Sequence, residues 1–336
     1  MNILKKVLTF GEIMLRFSTE VGELLQHSKH LNVCYGGGEA NVAVNLANFG
    51  IPVSHATKLP ANSLGQAVKH HFMKYGVKLD AIIEGGNRLG TYYLESGIGQ
   101  RAASVVYDRA DSSFATMTEL EWDLEELFHD VQLFHISGIV PAISEVWAEL
   151  AIDLIKFAKS KGIKVSFDVN FRGKMWGYER AVPTLAKIFP LVDYCSAGRM
   201  DAKFLMALDI DVENDTAETY YAKMSAAYPN IELFYATERT SISSSHNKLQ
   251  GQIWREGKVT YSEVFEINPI VDRVGGGDAY TAGILYGLLT GKADQYTVSF
   301  ATAASSLKHT INGDCNQFGV EIVESFMENR TGKIVR

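Results

Sequence analysis

The stretch DRVGGGDAYTAG, Asp272 to Gly283, sets three consecutive glycines and an acid directly before a helix-like run. Glycine runs are costly in chain entropy, so their presence here implies a loop whose backbone approaches something closely. The first turn of the helix that follows leaves its N–H groups unpaired, and its dipole favours negative charge. Gly275, Gly276 and Gly277 are therefore a candidate anion cradle. Asp278 has two readings. As an N-cap it would stabilise the helix by about 1 kcal/mol. As a base beside the cradle it would take a proton from a hydroxyl while the cradle holds charge developing on a transferring phosphoryl group.

A second glycine-rich turn, YGGGEANVAVNLANFG, follows a strand-like segment and opens a helix closed by Gly50. It either packs a helix start tightly against a sheet, or lets a polar ligand touch backbone at Gly37 while Asn41 bonds to hydroxyls. Its G-x-G-x-x-N pattern fits a dinucleotide fingerprint poorly, and the chain has no G-x-x-x-x-G-K-[ST] loop. H-E-x-x-H, G-x-S-x-G and the H-R-D/D-F-G pair are also missing, which removes zincins, classical hydrolases and protein kinases. His70 and His71 are adjacent and do not share a helix face, so solvated positions are expected for them.

The elements that must position these residues alternate along the chain. KVLTFG, LFHISGI, IKVSFDV and IELFYAT are strand-like, with amphipathic stretches such as 145–161 between them, ended there by Gly162. That alternation predicts a parallel sheet covered by helices. Two stretches break it, 13–35 and 81–110, which are strand-prone with no helix between. They read as a small second sheet inserted into a core made of 1–12, 36–80 and 111–336. With 46% hydrophobic residues the 336-residue chain can bury a large core, and a net charge of −7 without a basic block argues against nucleic acid. Cys34, Cys195 and Cys315 are too few and too scattered for a disulfide framework or zinc knuckle. Without a signal-peptide pattern or a long apolar run, a cytoplasmic location is expected.

Together, GGGEANVAVNLANFG and DRVGGGDAYTAG resemble the two signature regions of the ribokinase-like (PfkB-type) carbohydrate kinases, in order and in spacing, across essentially the whole chain. The stretches GTYYLESGIGQRAASVVYDRADSSFA, FDVNFRGKMW, HISGIVPAIS and KHTINGD are similar to the 2-keto-3-deoxygluconate kinases of that family. The resemblance implies an α/β, doubly wound, mostly parallel sheet flanked by helices, with a small β-sheet lid over the sugar. It implies ATP-dependent phosphorylation of a sugar acid at its terminal hydroxyl, with magnesium on the phosphates. An aldonic acid bears a carboxylate, and Arg109 or Arg172 would supply the matching cation.

Carried over residue by residue, the resemblance assigns the sugar acid to Gly37, Asn41, Tyr92, Tyr107, Arg109 and Asp314, and makes Asp278 the base. Asn170 and Arg172, at the end of a strand, resemble phosphate-side contacts, and Arg172 would touch both partners. Each has a plainer alternative: Tyr92 and Tyr107 as lid packing, Arg109 as an ion pair with Asp108 or Asp111, Asp314 as a turn residue. The chain also departs from the family. Gly198 and Asp201 stand where the family carries N-x-x-E, which leaves the Mg2+ ligands unassigned with Asp201 as a candidate. Thr237 and Arg239 replace the usual glycine-bearing nucleotide turn, and Gly276 replaces an alanine, a loss of one methyl expected to leave the cradle intact. The lid edge invites pairing between copies, so a homo-oligomer is expected. The alternatives are a kinase for a neutral sugar and a sugar-binding regulator without chemistry, with an oxidoreductase a remote third.

Overall fold

A computed structural model describes residues 5–329. Residues 1–4 and 330–336, the outer ends of the core segments expected from sequence, lie outside the described residues. In chain order the strands are β1 (Lys6–Phe10), β2 (Met14–Ser18), β3 (Asn32–Gly36), β4 (Val53–Leu59), β5 (Ile82–Glu84), β6 (Gly90–Glu95) and β7 (Ser104–Asp108). They continue as β8 (Val131–Ser137), β9 (Lys164–Asp168), β10 (Tyr194–Ser196), β11 (Leu233–Ser243), β12 (His246–Arg255), β13 (Lys258–Tyr261) and β14 (Phe265–Ile267).

One sheet runs β13-β12-β11-β10-β9-β8-β1-β4-β5, with β14 added beside β12. From β5 to β11 its neighbours are parallel, and the β11–β12 and β12–β13 pairs are antiparallel. The parallel part follows from the crossover helices. Between β8 and β9 lies Glu145–Ser160, started by Ser144, whose hydroxyl accepts from Trp147 N–H, and ended at Gly162 with φ +70°. Adjacent strand residues diverge to opposite faces: Phe134 and Ile136 pack with Trp147 and Ile155 on one side, while Val7, Val53 and Leu133 meet Val44 and Phe300 on the other.

The small sheet is β3-β2-β6-β7. Its composition corrects the boundaries expected from sequence. Of 81–110, only β6 and β7 enter it, because Ile82–Glu84 pairs in parallel with Thr57–Leu59 and extends the large sheet. Gly36, expected in the core, pairs with Met14 in the small sheet. A three-residue strand ending at Gly85–Gly86 has too little pattern to reveal its partner. Among the described residues no helix is long and apolar enough to cross a membrane.

The small sheet is tied to the core by a buried ionic chain. Arg16 on β2 donates from Nη2 to Asp272 Oδ2 and from Nη1 to Asp314 Oδ1, each at 2.7 Å. Burial opposes its charge, but Asp314 and Asp272 outweigh that and raise its pKa. Tyr92 on β6 donates to the other oxygen of Asp314. Arg16→Met is therefore expected to leave two buried carboxylates uncompensated and to destabilise the protein by about 3–5 kcal/mol in denaturant titration.

Candidate active site

The parallel strands end at a cleft of about 950 Å³ roofed by the small sheet, the edge where open α/β sheets accept ligands. It collects every candidate catalytic, substrate, nucleotide and magnesium residue assigned from sequence except Gly276.

Its floor is built by two helix starts. The helix Gly276–Leu289 has Gly275 as its N-cap, with φ +83°, a conformation that favours glycine, and no side-chain cap. The first i→i−4 bond is Ala279 N–H to Gly275 O, 2.9 Å, and Gly276 N–H turns back to Arg273 O at 3.4 Å, which leaves the amides of Gly275 and Gly277 for a ligand. The three glycines differ in purpose. A Cβ on Gly275 would fall 2.0 Å from Asp314 O, and one on Gly277 would meet nothing within 4 Å. One on Gly276 would fall 2.4 Å from Cε1 of the buried His309 ring. Gly276 is thus removed from the cradle expected for it. It makes room for His309, so a methyl there is not a neutral change.

The N-cap reading of Asp278 is corrected too. Its Oδ2 accepts from Asn41 Nδ2 at 2.7 Å, joining the two glycine-rich motifs across 237 residues. Burial pushes its pKa up to about 7; the Asn41 bond opposes this, and the Asp168 charge adds to it. A carboxyl titrating there is matched to proton transfer near neutral pH.

The second helix, Gly38–Asn48, starts from Gly37. A Cβ on Gly37 would fall 2.1 Å from Glu12 O, so its first reading, close packing, holds although it also borders the cleft. Gly38 is the open one, with a Cβ 3.7 Å from Asn170 Nδ2 and 3.9 Å from Asp278 Oδ1. Asn170 has φ +39°, backbone strain at the end of β9 of the kind found at binding sites.

The lid residues are more committed than their sequence suggests. Arg109 pairs with neither Asp108 nor Asp111. Its Nη2 goes to buried Glu12, while Asp108 takes Arg88 at 2.8 Å. Ser112 Oγ donates to the other Glu12 oxygen at 2.5 Å, and Arg109 Nε is buried without a partner. Asp314 is held by Arg16 and Tyr92, so both its oxygens are already occupied. Tyr107 is 41% exposed, its ring 5.9 Å from that of Tyr92. His71 is not solvated as expected: it packs edge-on to Tyr35.

The acids of the far wall were partly missed. Asp168 and Glu39 are raised by burial, Glu39 accepting from Ser137 N–H at 3.0 Å and from its hydroxyl at 2.6 Å. Asp168 stands inside the quoted FDVN, but nothing in its spacing marks it. Asp201 is pushed to about 6, first by burial, with Asp168 adding like charge, while its Oδ2 accepts from Gly198 N–H at 2.8 Å. No cluster of three or more His, Cys, Asp or Glu side chains suited to a metal is found among the described residues. Magnesium on a nucleotide commonly needs only one or two carboxylates, and Asp168 and Asp201, two acids in mutual repulsion, fit that need.

Comparison with known proteins decides the family: residues 4–318 match the pfkB family carbohydrate kinases. The chain is a carbohydrate kinase of the PfkB family. A solved PfkB family carbohydrate kinase of Listeria grayi is 47% identical, with a TM-score of 0.93, covering 97% of this chain and 100% of that one. The solved 2-dehydro-3-deoxygluconokinase of Thermotoga maritima is 37% identical, with a TM-score of 0.93 and the same coverage. A 2-dehydro-3-deoxygalactonokinase of Haloferax volcanii is 31% identical over 312 residues, 92% of each chain. The ribokinase-like fold and the kinase class expected from sequence are therefore found in this PfkB kinase.

The glycines allow a direct test. Gly275→Ala is expected to destabilise by about 2 kcal/mol or more, from its left-handed backbone and the clash with Asp314. Gly277→Ala, whose methyl enters open cleft, should unfold within about 0.5 kcal/mol of the parent yet lose turnover. Denaturant titration paired with an activity assay reads both.

Proposed function

We propose that this kinase transfers the γ-phosphoryl group of ATP to the terminal hydroxyl of 2-keto-3-deoxygluconate, giving the 6-phosphate and ADP. The observation that carries the mechanism is the Asp278 carboxyl, poised near pH 7 and oriented by Asn41 at the start of a helix with free amides. Asp278 takes the hydroxyl proton as that oxygen bonds to the γ-phosphorus, and the bond to the β-phosphate oxygen breaks with its electron pair leaving on ADP. The amides around Gly275 and Gly277 stabilise the negative charge of the group in flight.

The acceptor would lie under the small sheet, on Gly38, Asn41, Tyr92 and Tyr107. Arg172 would offer its guanidinium to the carboxylate, with Arg109, already paired with Glu12, beside it. Gly37 shapes that end of the pocket, and Asp314 supports it through Tyr92. The nucleotide would lie along Asn170, Thr237 and Arg239. Asp168 and Asp201 would hold magnesium, which when bound neutralises phosphate charge. The roof excludes water from the transfer.

A second reading has its own observation: Glu12 already balances Arg109, which favours a neutral sugar such as fructose or ribose. Turnover measured side by side on ketodeoxygluconate, ketodeoxygalactonate and neutral sugars separates the two, with the sugar acids expected to lead. Binding of a sugar acid without consumption of ATP would instead make the protein a regulator.

The base gives two further expectations. kcat/KM should climb as pH rises through about 7, because only the ionised Asp278 accepts a proton. Asp278→Asn should reduce kcat by orders of magnitude and flatten that rise while leaving sugar binding nearly intact. Because the folded state raises this pKa, ionising Asp278 costs stability as pH rises above its unfolded value. The Asn variant should therefore have a Tm at pH 8 no lower than the parent, read by scanning calorimetry.

A further inference from the structure

Arg273 stands directly before the glycines, and the mechanism above does not use it. Its base is fixed: Val274 N–H donates to Asp272 Oδ1 at 3.0 Å, and Asp272 is in turn held by Arg16. Arg239 reaches the same cleft from β11, on the side of Thr237, and both arginines border it together with Gly275 and Gly277.

Neither has a counter-ion. Arg16, Arg88, Arg101, Arg109 and Arg255 all pair with carboxylates, but among the described residues Arg239 and Arg273 make no ion pair. They also feel each other. The Arg239 pKa is lowered, first by burial and then by the Arg273 charge, and both cations help to depress that of His309. Two guanidinium groups that border one cleft and feel each other's charge repel, a cost that is recovered when an anion enters between them. An arginine fork matches phosphate oxygens in pairs, which a lysine does not.

We propose that Arg239 and Arg273 clamp the β-phosphate of the donor nucleotide. The proposal rests on the kinase reading above and adds to it the group that receives charge as ADP departs. When the bond between the γ-phosphorus and the β-phosphate oxygen breaks, its electron pair collects on that oxygen, and two cations beside it lower the energy of the departing state. The position of Arg273 directly before the cradle glycines, which the mechanism gives to the transferring phosphoryl group, favours phosphate over the acceptor's carboxylate.

The test is calorimetric titration of AMP, ADP and ATP, each with magnesium, into the parent protein and into Arg273→Met, Arg239→Met and Arg273→Lys. Loss of a charged hydrogen-bonding group is expected to weaken ADP and ATP by about ten- to a hundredfold in the Met variants. AMP should stay within about twofold, since it lacks the clamped phosphate, and Arg273→Lys should fall between. In steady state the Met variants should lose kcat and raise the KM for ATP while the KM for the acceptor holds. Equal loss of AMP and ADP affinity would overturn the clamp, and so would a raised acceptor KM with nucleotide binding unchanged. A parent protein that binds none of the three nucleotides would sink the kinase reading itself, and the clamp with it, before any variant is compared.

Discussion

Arg16 is the residue on which the site depends. It sits on a strand of the small sheet, yet both of its carboxylate partners belong to loops of the core, one beginning the glycine motif and the other following the long helix Asp294–Lys308. A buried cation with two buried anions is stable only while all three stay in place, so it fixes the lid, the cradle and the acceptor end relative to one another. Tyr92 extends the chain by one bond to the wall of the cleft. Asp314 therefore borders the cleft with both carboxylate oxygens already bonded, and acts on it through the groups it holds.

A second constraint is electrostatic. Glu12, Glu39, Asp168, Asp201 and Asp278 are gathered around one cleft, and those that titrate abnormally do so upward. Such a concentration of acid would repel a polyanionic nucleotide unless it were offset. Glu12 is cancelled by Arg109 and Glu39 by hydroxyl and amide donors, while Arg172, Arg239 and Arg273 border the cleft and form no ion pair among the described residues. Two of the five acids are thus quenched locally and cations are left at the cleft, which lessens the repulsion an anion would meet there in spite of the chain's negative net charge.

The sequence discloses what is written locally. Alternating apolar runs announce the parallel sheet, and glycines before a helix announce the cradle, because both are short-range patterns with short-range physics. The residues that need the fold to acquire meaning stay hidden. Arg16 reads as one polar residue in a strand, Glu12 as a turn acid and Asp168 as the last residue of an apolar strand, and only assembly brings their partners within reach. Arg109 shows the same limit from the other side. Its neighbours in sequence are acids, but the acid it meets is 97 residues away. Gly37 and Gly38 illustrate it at the finest scale: adjacent and chemically identical, one is pressed against a carbonyl and the other has room toward the cleft.

The contact between Gly276 and His309 has a consequence for how this chain can diverge. The ring fills the volume that a side chain at 276 would need, so the two sites form an epistatic couple separated by 33 positions. Placing an alanine at 276 requires the imidazole to move or be exchanged for something smaller. The imidazole exchanged first opens the space, whereas the methyl added first meets the ring.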